Sequence, residues 1–84
     1  MSISPKPVAV RFDDNSFWVA LEDGRTLGIP LAWFPRLMRA TAAQREHFFL
    51  SSDGIHWDEI DEDISIAGLL AGRGDQTRPR TREP

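Results

Sequence analysis

The chain lacks cysteine, so it can form no disulfide and offers neither a thiolate metal site nor a cysteine nucleophile. This absence is typical of proteins from a reducing compartment. No apolar run approaches the roughly 18 residues of a membrane span, and no basic and then apolar leader opens the chain. We therefore expect a soluble, cytoplasmic protein without a membrane partner.

The length of the chain limits the size of its core. A domain of 84 residues buries only roughly 60–65% of the surface that its unfolded chain exposes. The apolar fraction of 40%, with three Trp and five Phe, suffices for one compact core. That core is too thin to enclose a deep substrate cavity, so we expect one domain without such a cavity.

Charge is distributed unevenly along the chain, whose formal net charge is −3. Between residues 73 and 84, four Arg oppose Asp75 and Glu83, which gives +2, so the first 72 residues carry −5. An acidic body repels the phosphates of nucleic acids. The tail is the only region whose charge favours nucleic acid.

The first third of the chain predicts a three-stranded antiparallel meander. Segments 8–12 and 17–21 alternate apolar with smaller or polar residues, as half-buried strands do. An Asp-Gly pair at 23–24 predicts a hairpin turn, and a third strand at 26–29 follows, with Pro30 at its end. The core candidates of this sheet are Val8, Val10, Phe12, Phe17, Val19, Leu21, Leu27 and Ile29.

The period of the apolar residues becomes helical after Pro30. Apolar residues recur at helical spacing at Leu31, Trp33, Phe34, Leu37 and Met38. Pro35 suits the first turn of this helix. Thr41 and Gln44 match a capping box, which predicts a second short helix from Ala42 to about His47.

The last third predicts a second hairpin and a C-terminal helix. Segments 48–50 and 55–57 flank another Asp-Gly turn. Asp61 or Asp63 is the predicted cap of the final helix, which Gly72 would end. The apolar positions of that helix are Ile64, Ile66, Leu69 and Leu70.

These elements predict the fold class α+β: a three-stranded antiparallel meander, short helices, a second short hairpin and a C-terminal helix packed on the sheet. Residues 1–72 form a single domain in this interpretation. Residues 73–84 are polar, contain Pro and include no apolar side chain. Because such a segment cannot bury apolar surface, we expect it to be a disordered, Arg-containing tail.

Several short motifs follow one another in a distinctive order. They are Asp23-Gly24-Arg25, the segment Ile29 to Leu37, Thr41 with Gln44-Arg45, Ile55-His56-Trp57, the segment Asp61 to Ser65, and Gly68-Leu69-Leu70. This order, over roughly residues 6 to 72, resembles the bacterial domain-of-unknown-function 2442 family. The resemblance implies a small α+β domain encoded beside a small protein of the domain-of-unknown-function 4160 family, in a pairing that suggests a toxin–antitoxin or similar two-gene unit. It implies no catalytic residues, and this chain lacks the helix-turn-helix module to which some members are fused.

An acidic stretch is the most conspicuous candidate site. Its carboxylates are Asp58, Glu59, Asp61, Glu62 and Asp63. Oxygen ligands of this kind suit Ca²⁺ or Mg²⁺, but the stretch lacks the Gly and the alternation of a calcium loop, and Ile60 and Ile64 interrupt it as core anchors would. We therefore expect no metal and no other cofactor. The favoured interpretation is a solvated acidic turn that stabilises the N-terminus of the final helix, and the alternative is an acidic patch that faces a partner.

The two histidines, His47 and His56, are the other candidates for chemistry. Each could act as a general acid or base with a nearby carboxylate. The sequence, however, has no Ser-His-Asp order, Gly-rich phosphate loop or zinc motif that would indicate a reaction class. We therefore expect structural or surface histidines, no catalytic residues and no enzymatic activity, with a hydrolase that uses His56 as the weakest alternative.

The aromatic pair Trp33 and Phe34 bears on partner binding. Neighbours on a helix point about 100° apart, so one of the two is exposed unless the sheet and the last helix cover both. An exposed aromatic beside Arg36 and Arg39 has the composition of a protein-binding hot spot. Trp18 poses the same question on the other face of its strand. A small domain with exposed aromatics usually has a partner or forms a homodimer.

The function expected from these features is that of a non-enzymatic protein-interaction module. In the terms of the family resemblance, it is the antitoxin-like or regulatory half of a two-gene unit, which binds a small basic partner protein. The expected partner-binding residues are Trp33, Arg36, Arg39, Asp58, Glu59, Asp61, Glu62 and Asp63. A second copy of the chain, in a homodimer, is the other possible partner. The alternative is a nucleic-acid-linked transcriptional regulator that acts through a partner complex or through the tail residues Arg73, Arg78, Arg80 and Arg82.

Overall fold

The computed structural model of the chain describes residues 4–72 and has an α+β fold with two antiparallel three-stranded sheets. The strands are β1 (Pro7–Phe12), β2 (Ser16–Leu21), β3 (Thr26–Pro30), β4 (Phe49–Leu50), β5 (Gly54–Trp57) and β6 (Glu62–Ser65), and the helices are a 3₁₀ turn (Leu31–Trp33), α1 (Pro35–Arg39), α2 (Ala42–Glu46) and α3 (Ile66–Leu70). We call β1–β3 sheet A and β4–β6 sheet B. The predicted fold class is confirmed.

Sheet A is the predicted meander, with β2 between β1 and β3. The predicted apolar residues face inward, except near the start of β1. The pairing there passes from Pro7 opposite Leu21 to Ala9 opposite Ala20, so Val8 is the extra residue of a β-bulge. A bulge shifts the alternation of side chains by one residue. Pro7 is therefore buried and Val8 is 55% exposed, and the prediction of Val8 as a core residue is wrong.

On the outer face of sheet A, Trp18 packs against its neighbours in the sheet. The indole lies across Gly28 of the neighbouring strand, where an added Cβ would meet the ring. The Arg11 guanidinium lies 5.5 Å from the ring centroid, and the indole Nε1 donates a hydrogen bond of 2.9 Å to Asp13 Oδ2. These contacts leave Trp18 only partly exposed. The Trp18 hydrogen bond and those from the backbone amides of Ser16 and Asn15 hold the pKa of Asp13 below its usual value.

The two short helices of the middle segment begin as predicted. Pro35 occupies the first turn of α1. The Thr41 side chain accepts from the Gln44 amide at 3.0 Å, and the Gln44 side chain accepts from the Thr41 amide at 2.9 Å. This reciprocal pair is the capping box, and it satisfies two backbone donors that the helix itself leaves unpaired.

Sheet B contains the predicted hairpin of β4 and β5, but it also has a third strand. The prediction that Asp61 or Asp63 caps the final helix is wrong, because residues 62–65 form β6 and pair with β5. Ser65 is the cap instead, since its Oγ accepts from the Gly68 amide at 2.9 Å. Apolar residues at positions 64 and 66 fit a strand end as well as a helix, so the pattern alone did not separate the two.

One hydrophobic core joins the sheets and helices. Trp57 of β5 is fully buried and makes edge contact with Phe12 of sheet A at a centroid distance of 6.4 Å. Its Nε1 donates to the carbonyl of Arg45 at 2.9 Å. Helix α3 packs against β3 and β6 through its buried Ile66 and Leu69, which confirms that the C-terminal helix packs on the sheet.

The predicted tail, residues 73–84 with its four arginines, lies outside the described residues, so its disorder and its role stay predictions. Within residues 4–72, no helix is long and apolar enough to cross a membrane.

Candidate functional site

The acidic stretch is divided among several local structures and does not form one uniform surface. Glu62 points inward on β6 and is only 7% exposed, with its Oε1 3.9 Å from Arg36 Nη1. Glu59 accepts a hydrogen bond of 3.0 Å from Gln44 Nε2. Asp58 and Asp61 are exposed in the turn between β5 and β6. Burial removes Glu62 from any surface that a partner could contact.

The interpretation of these carboxylates as charges at the N-terminus of the final helix is also wrong. The first turn of α3 contains no acidic residue. Asp61 instead has a φ of +56°, in the left-handed region that Asp tolerates better than most side chains. This residue reverses the chain direction before β6. In the described part of the chain, no three His, Cys, Asp or Glu side chains come together in a way that could hold a metal ion.

The helical segment 31–39 separates its two adjacent aromatics. Phe34 is buried, whereas Trp33 is 37% exposed. Met38, which the helical spacing grouped with the apolar residues of this segment, is 48% exposed. The outward side of the segment therefore carries an aromatic and a thioether together with Arg36 and Arg39, which are also exposed.

Two arginines fix this segment in place. Arg45 donates from Nε to the carbonyl of Leu37 at 2.8 Å and from Nη2 to the carbonyl of Met38 at 2.9 Å, so it caps the C-terminus of α1. Arg36 donates from Nη1 to the carbonyl of Asp61 at 2.6 Å. The second contact joins the segment to the acidic turn, so the two lie side by side on the surface.

A second cluster, which was not predicted from the sequence, lies on the outer face of sheet B. His56 Nε2 lies 2.7 Å from Ser51 Oγ, and His56 Nδ1 lies 2.8 Å from Asp63 Oδ1. The three side chains thus form a Ser–His–Asp array in space. His56 and Asp63 are cross-strand partners in the register of β5 and β6. Because residues 62–65 were interpreted as a turn and helix cap, that pairing could not be predicted; a strand at this position would have indicated it.

The array has an aromatic neighbour. Phe49 of β4 lies opposite His56 of β5, on the side of β5 away from Asp63. The two rings stack with a centroid distance of 5.0 Å and an interplanar angle of 27°. Phe49 is 52% exposed. Strand β4 is an edge of sheet B, so this side of the array faces outward.

Comparison with protein families gives a match over residues 7–75 to the family described as "Protein of unknown function (DUF2442)". The chain belongs to this family. The match spans most of the chain, including both sheets and all the helices, and it confirms the resemblance seen in the order of motifs. A search of curated proteins found no match.

Two solved structures of uncharacterised proteins have the same fold as this DUF2442 member. A crystal structure of a protein of unknown function from Rhodospirillum rubrum is 28% identical, with a TM-score of 0.74 over 87% of this chain and 93% of that one. A solution structure of an uncharacterised protein from Chromobacterium violaceum is 22% identical, with a TM-score of 0.74 over 86% of this chain and 70% of that one. These likenesses support the architecture and leave the function to be argued from the residues.

Proposed function

We propose that this DUF2442 member is a cytoplasmic protein-interaction module that binds a small partner protein. The observation that carries the proposal is the exposure of Trp33 on a segment whose inward residues are packed in the core. Tryptophan and arginine are enriched among the residues that contribute most to protein binding. Trp33, Met38 and Arg39, on a segment held by the contacts of Arg45, offer such a surface without a loop that must first be ordered.

The neighbouring acidic turn indicates the charge of the partner. Arg36 joins the segment to this turn through the Asp61 carbonyl, and the side chains of Asp58 and Asp61 are exposed there. The first 72 residues carry a net charge of −5. Complementary charge speeds the encounter of two proteins, so the surface favours a basic partner. We define the partner surface as Trp33, Met38, Arg39, Asp58 and Asp61.

The family resemblance supplies the partner for a test. It implies a neighbouring gene for a small protein of the domain-of-unknown-function 4160 family, and the role we propose is the antitoxin-like or regulatory half of that two-gene unit. This role does not depend on catalysis. A second copy of the chain is the other occupant that the same surface could take, and size-exclusion chromatography with light scattering separates the two.

The test is co-purification of the full chain with the protein of the adjacent gene, followed by calorimetric titration. We expect a stable complex. Trp33→Ala should weaken binding by about 30-fold, the size of a hot-spot loss of 2 kcal/mol. Asp58→Lys should lower the association rate and its dependence on salt.

Val8→Ala is the matched control for this test, because Val8 is also an exposed apolar residue but lies on the bulge of sheet A. It should leave affinity unchanged. The absence of a complex, or an equal loss of affinity in Val8→Ala and Trp33→Ala, would refute the proposal.

The charge of the tail supports one alternative, a nucleic-acid-linked regulator. Arg73, Arg78, Arg80 and Arg82 give residues 73–84 a net charge of +2, and such residues contact phosphates in a salt-dependent way. This role requires that the chain, alone or with its partner, retards DNA of its own promoter. Replacement of the four arginines by alanine should then abolish the retardation.

A further inference from the structure

Beyond partner binding, we propose that Ser51 is a nucleophile for acyl transfer from small esters, with His56 as its general base and Asp63 as the residue that positions the imidazole. The proposal rests on the geometry of the array: 2.7 Å from Ser51 Oγ to His56 Nε2 and 2.8 Å from His56 Nδ1 to Asp63 Oδ1. Both distances are those at which a base takes a proton from a hydroxyl and a carboxylate orients the base. The order of contacts is that of the Ser–His–Asp triad, which is recognised by geometry and not by fold.

The placement of protons decides whether Ser51 is activated. When Asp63 accepts the Nδ1 proton of a neutral imidazole, Nε2 is left as an acceptor for the Ser51 hydroxyl. Asp53 Oδ1, 2.9 Å from Ser51 Oγ, competes for the same hydroxyl proton. A hydroxyl has only one proton to donate. Asp53 therefore holds Ser51 partly in an inactive arrangement, and its removal should increase the reactivity of Ser51.

The surroundings of the array indicate the class of substrate. The His56 side chain is 25% exposed, so a reagent can reach it from solvent. The Phe49 ring, stacked on His56 and half-exposed, offers an apolar face next to the nucleophile. An ester with an aryl or short acyl group suits this surface, because such a group can lie against the exposed Phe49 ring while its carbonyl meets Ser51.

The reaction balances with water as the only co-reactant. Ser51 Oγ bonds to the ester carbonyl carbon as its proton passes to His56 Nε2. The bond to the leaving alcohol then breaks, and that alcohol takes the proton from Nε2. Water attacks the acyl-serine by the same route and releases the carboxylic acid.

The experiment uses the full chain and phenylmethanesulfonyl fluoride, with the modified serine located by mass spectrometry. Ser51 Oγ would form the bond to sulfur while fluoride leaves, and the proton passes to His56. Ser52, its exposed neighbour, is the internal control. We expect Ser51 to be modified about 10²-fold faster than Ser52, the lower end of the contribution of a general base. Equal modification of the two serines would overturn the proposal.

Variants separate reactivity from folding. His56→Ala should slow the modification of Ser51 by about 10²-fold, and Asp53→Asn should accelerate it. Asp63→Ala should slow the modification of Ser51, and Asp63→Glu should restore part of the rate. If the two variants unfold at the same temperature, a difference in stability cannot explain this rescue. Release of 4-nitrophenol from 4-nitrophenyl butyrate should follow the same order and vanish in Ser51→Ala but not in Ser52→Ala. A rate that does not change in His56→Ala would count decisively against the base.

Discussion

The two sheets of this DUF2442 member reach stability in different ways. Sheet A has strands of five or six residues, and its central strand buries Phe17, Val19 and Leu21 on one apolar face. Sheet B has strands of two to four residues, and side-chain hydrogen bonds supplement its ladder. Trp57 donates a hydrogen bond to the Arg45 carbonyl, and His56 is hydrogen-bonded to Asp63. Short strands in a small domain depend on such contacts because few ladder bonds hold them.

Trp57→Ala should have the largest effect on stability, because it removes from sheet B both a buried apolar side chain and a side-chain hydrogen bond. The variant loses a buried aromatic side chain and leaves the Arg45 carbonyl without its donor. We expect a loss of about 3–5 kcal/mol in the free energy of unfolding, measured by urea denaturation. Trp33→Ala is the control and should lose less than about 1 kcal/mol, since Trp33 is partly exposed. A similar loss in both variants would contradict the placement of Trp57 at the centre of the core.

The two Asp-Gly turns provide a matched pair of smaller changes. A Cβ on Gly54 would lie 2.5 Å from the Ile64 carbonyl oxygen, whereas nothing lies within 4 Å of one on Gly24, which has a φ of +95°. Gly54→Ala should therefore push β5 and β6 apart, at a cost of about 1–3 kcal/mol. Gly24→Ala should cost about 1 kcal/mol through backbone strain alone.

Amide chemical shifts check the difference between these variants. Gly54→Ala should change the shifts of His56 and Ile64, and Gly24→Ala should change only those of its own turn. If Gly54→Ala left the amides of sheet B unmoved, the close approach of β5 and β6 would be wrong.

The smallest effect concerns the outer face of sheet A and depends on pH. The pKa of Asp13 is lowered, chiefly by the Trp18 hydrogen bond. A carboxyl whose pKa is lower in the folded state contributes stability that is complete above its unfolded pKa of about 4 and is lost as the pH falls through the folded pKa. Trp18→Phe should raise the pKa of Asp13 toward its usual value, as NMR titration of the carboxyl would show.

Asp23 is the control for this titration. Its pKa is also lowered, first by the hydrogen bond from the Arg25 amide, which Trp18→Phe leaves in place. The pKa of Asp23 should therefore stay low in that variant. An unchanged pKa of Asp13 would show that the indole does not provide the main stabilisation of its charge.

Local patterns explain which parts of the fold could be predicted. The turn at Gly24, the capping box of Thr41 and Gln44, and the apolar alternation of β2 each act within a few residues, so the sequence indicates them directly. The bulge at Val8 and the strand β6 depend on which residues lie opposite. Residues 62–65 begin with two carboxylates and so lack the alternation of polar and apolar residues that predicts a strand. No local pattern indicates that Glu62 is buried beside Arg36.

The candidate sites follow the same division. Sequence reasoning identified Trp33 and the arginines next to it, and the structure decided that Trp33 and not Phe34 faces outward. It identified His56, but Asp63 comes to lie beside it through the register of β5 and β6, and Ser51 through the turn that joins β4 to β5. Ser51, His56 and Asp63 stand in Ser-His-Asp order within residues 51–63, so the expectation that the chain has no such order is wrong. Their contact was not predicted because residues 62–65 were not recognised as a strand that pairs with β5.

The sequence by itself determined the elements whose causes are local: the turns, the caps, the alternating strands of sheet A and the charge of the body. The tertiary structure alone decided the environment of each carboxylate in the acidic stretch. Glu62 is buried and Asp63 contacts His56, whereas Asp58 and Asp61 are exposed in a turn. The physical reason is that local preferences act over a few residues, whereas burial and cross-strand pairing depend on partners brought together by the fold.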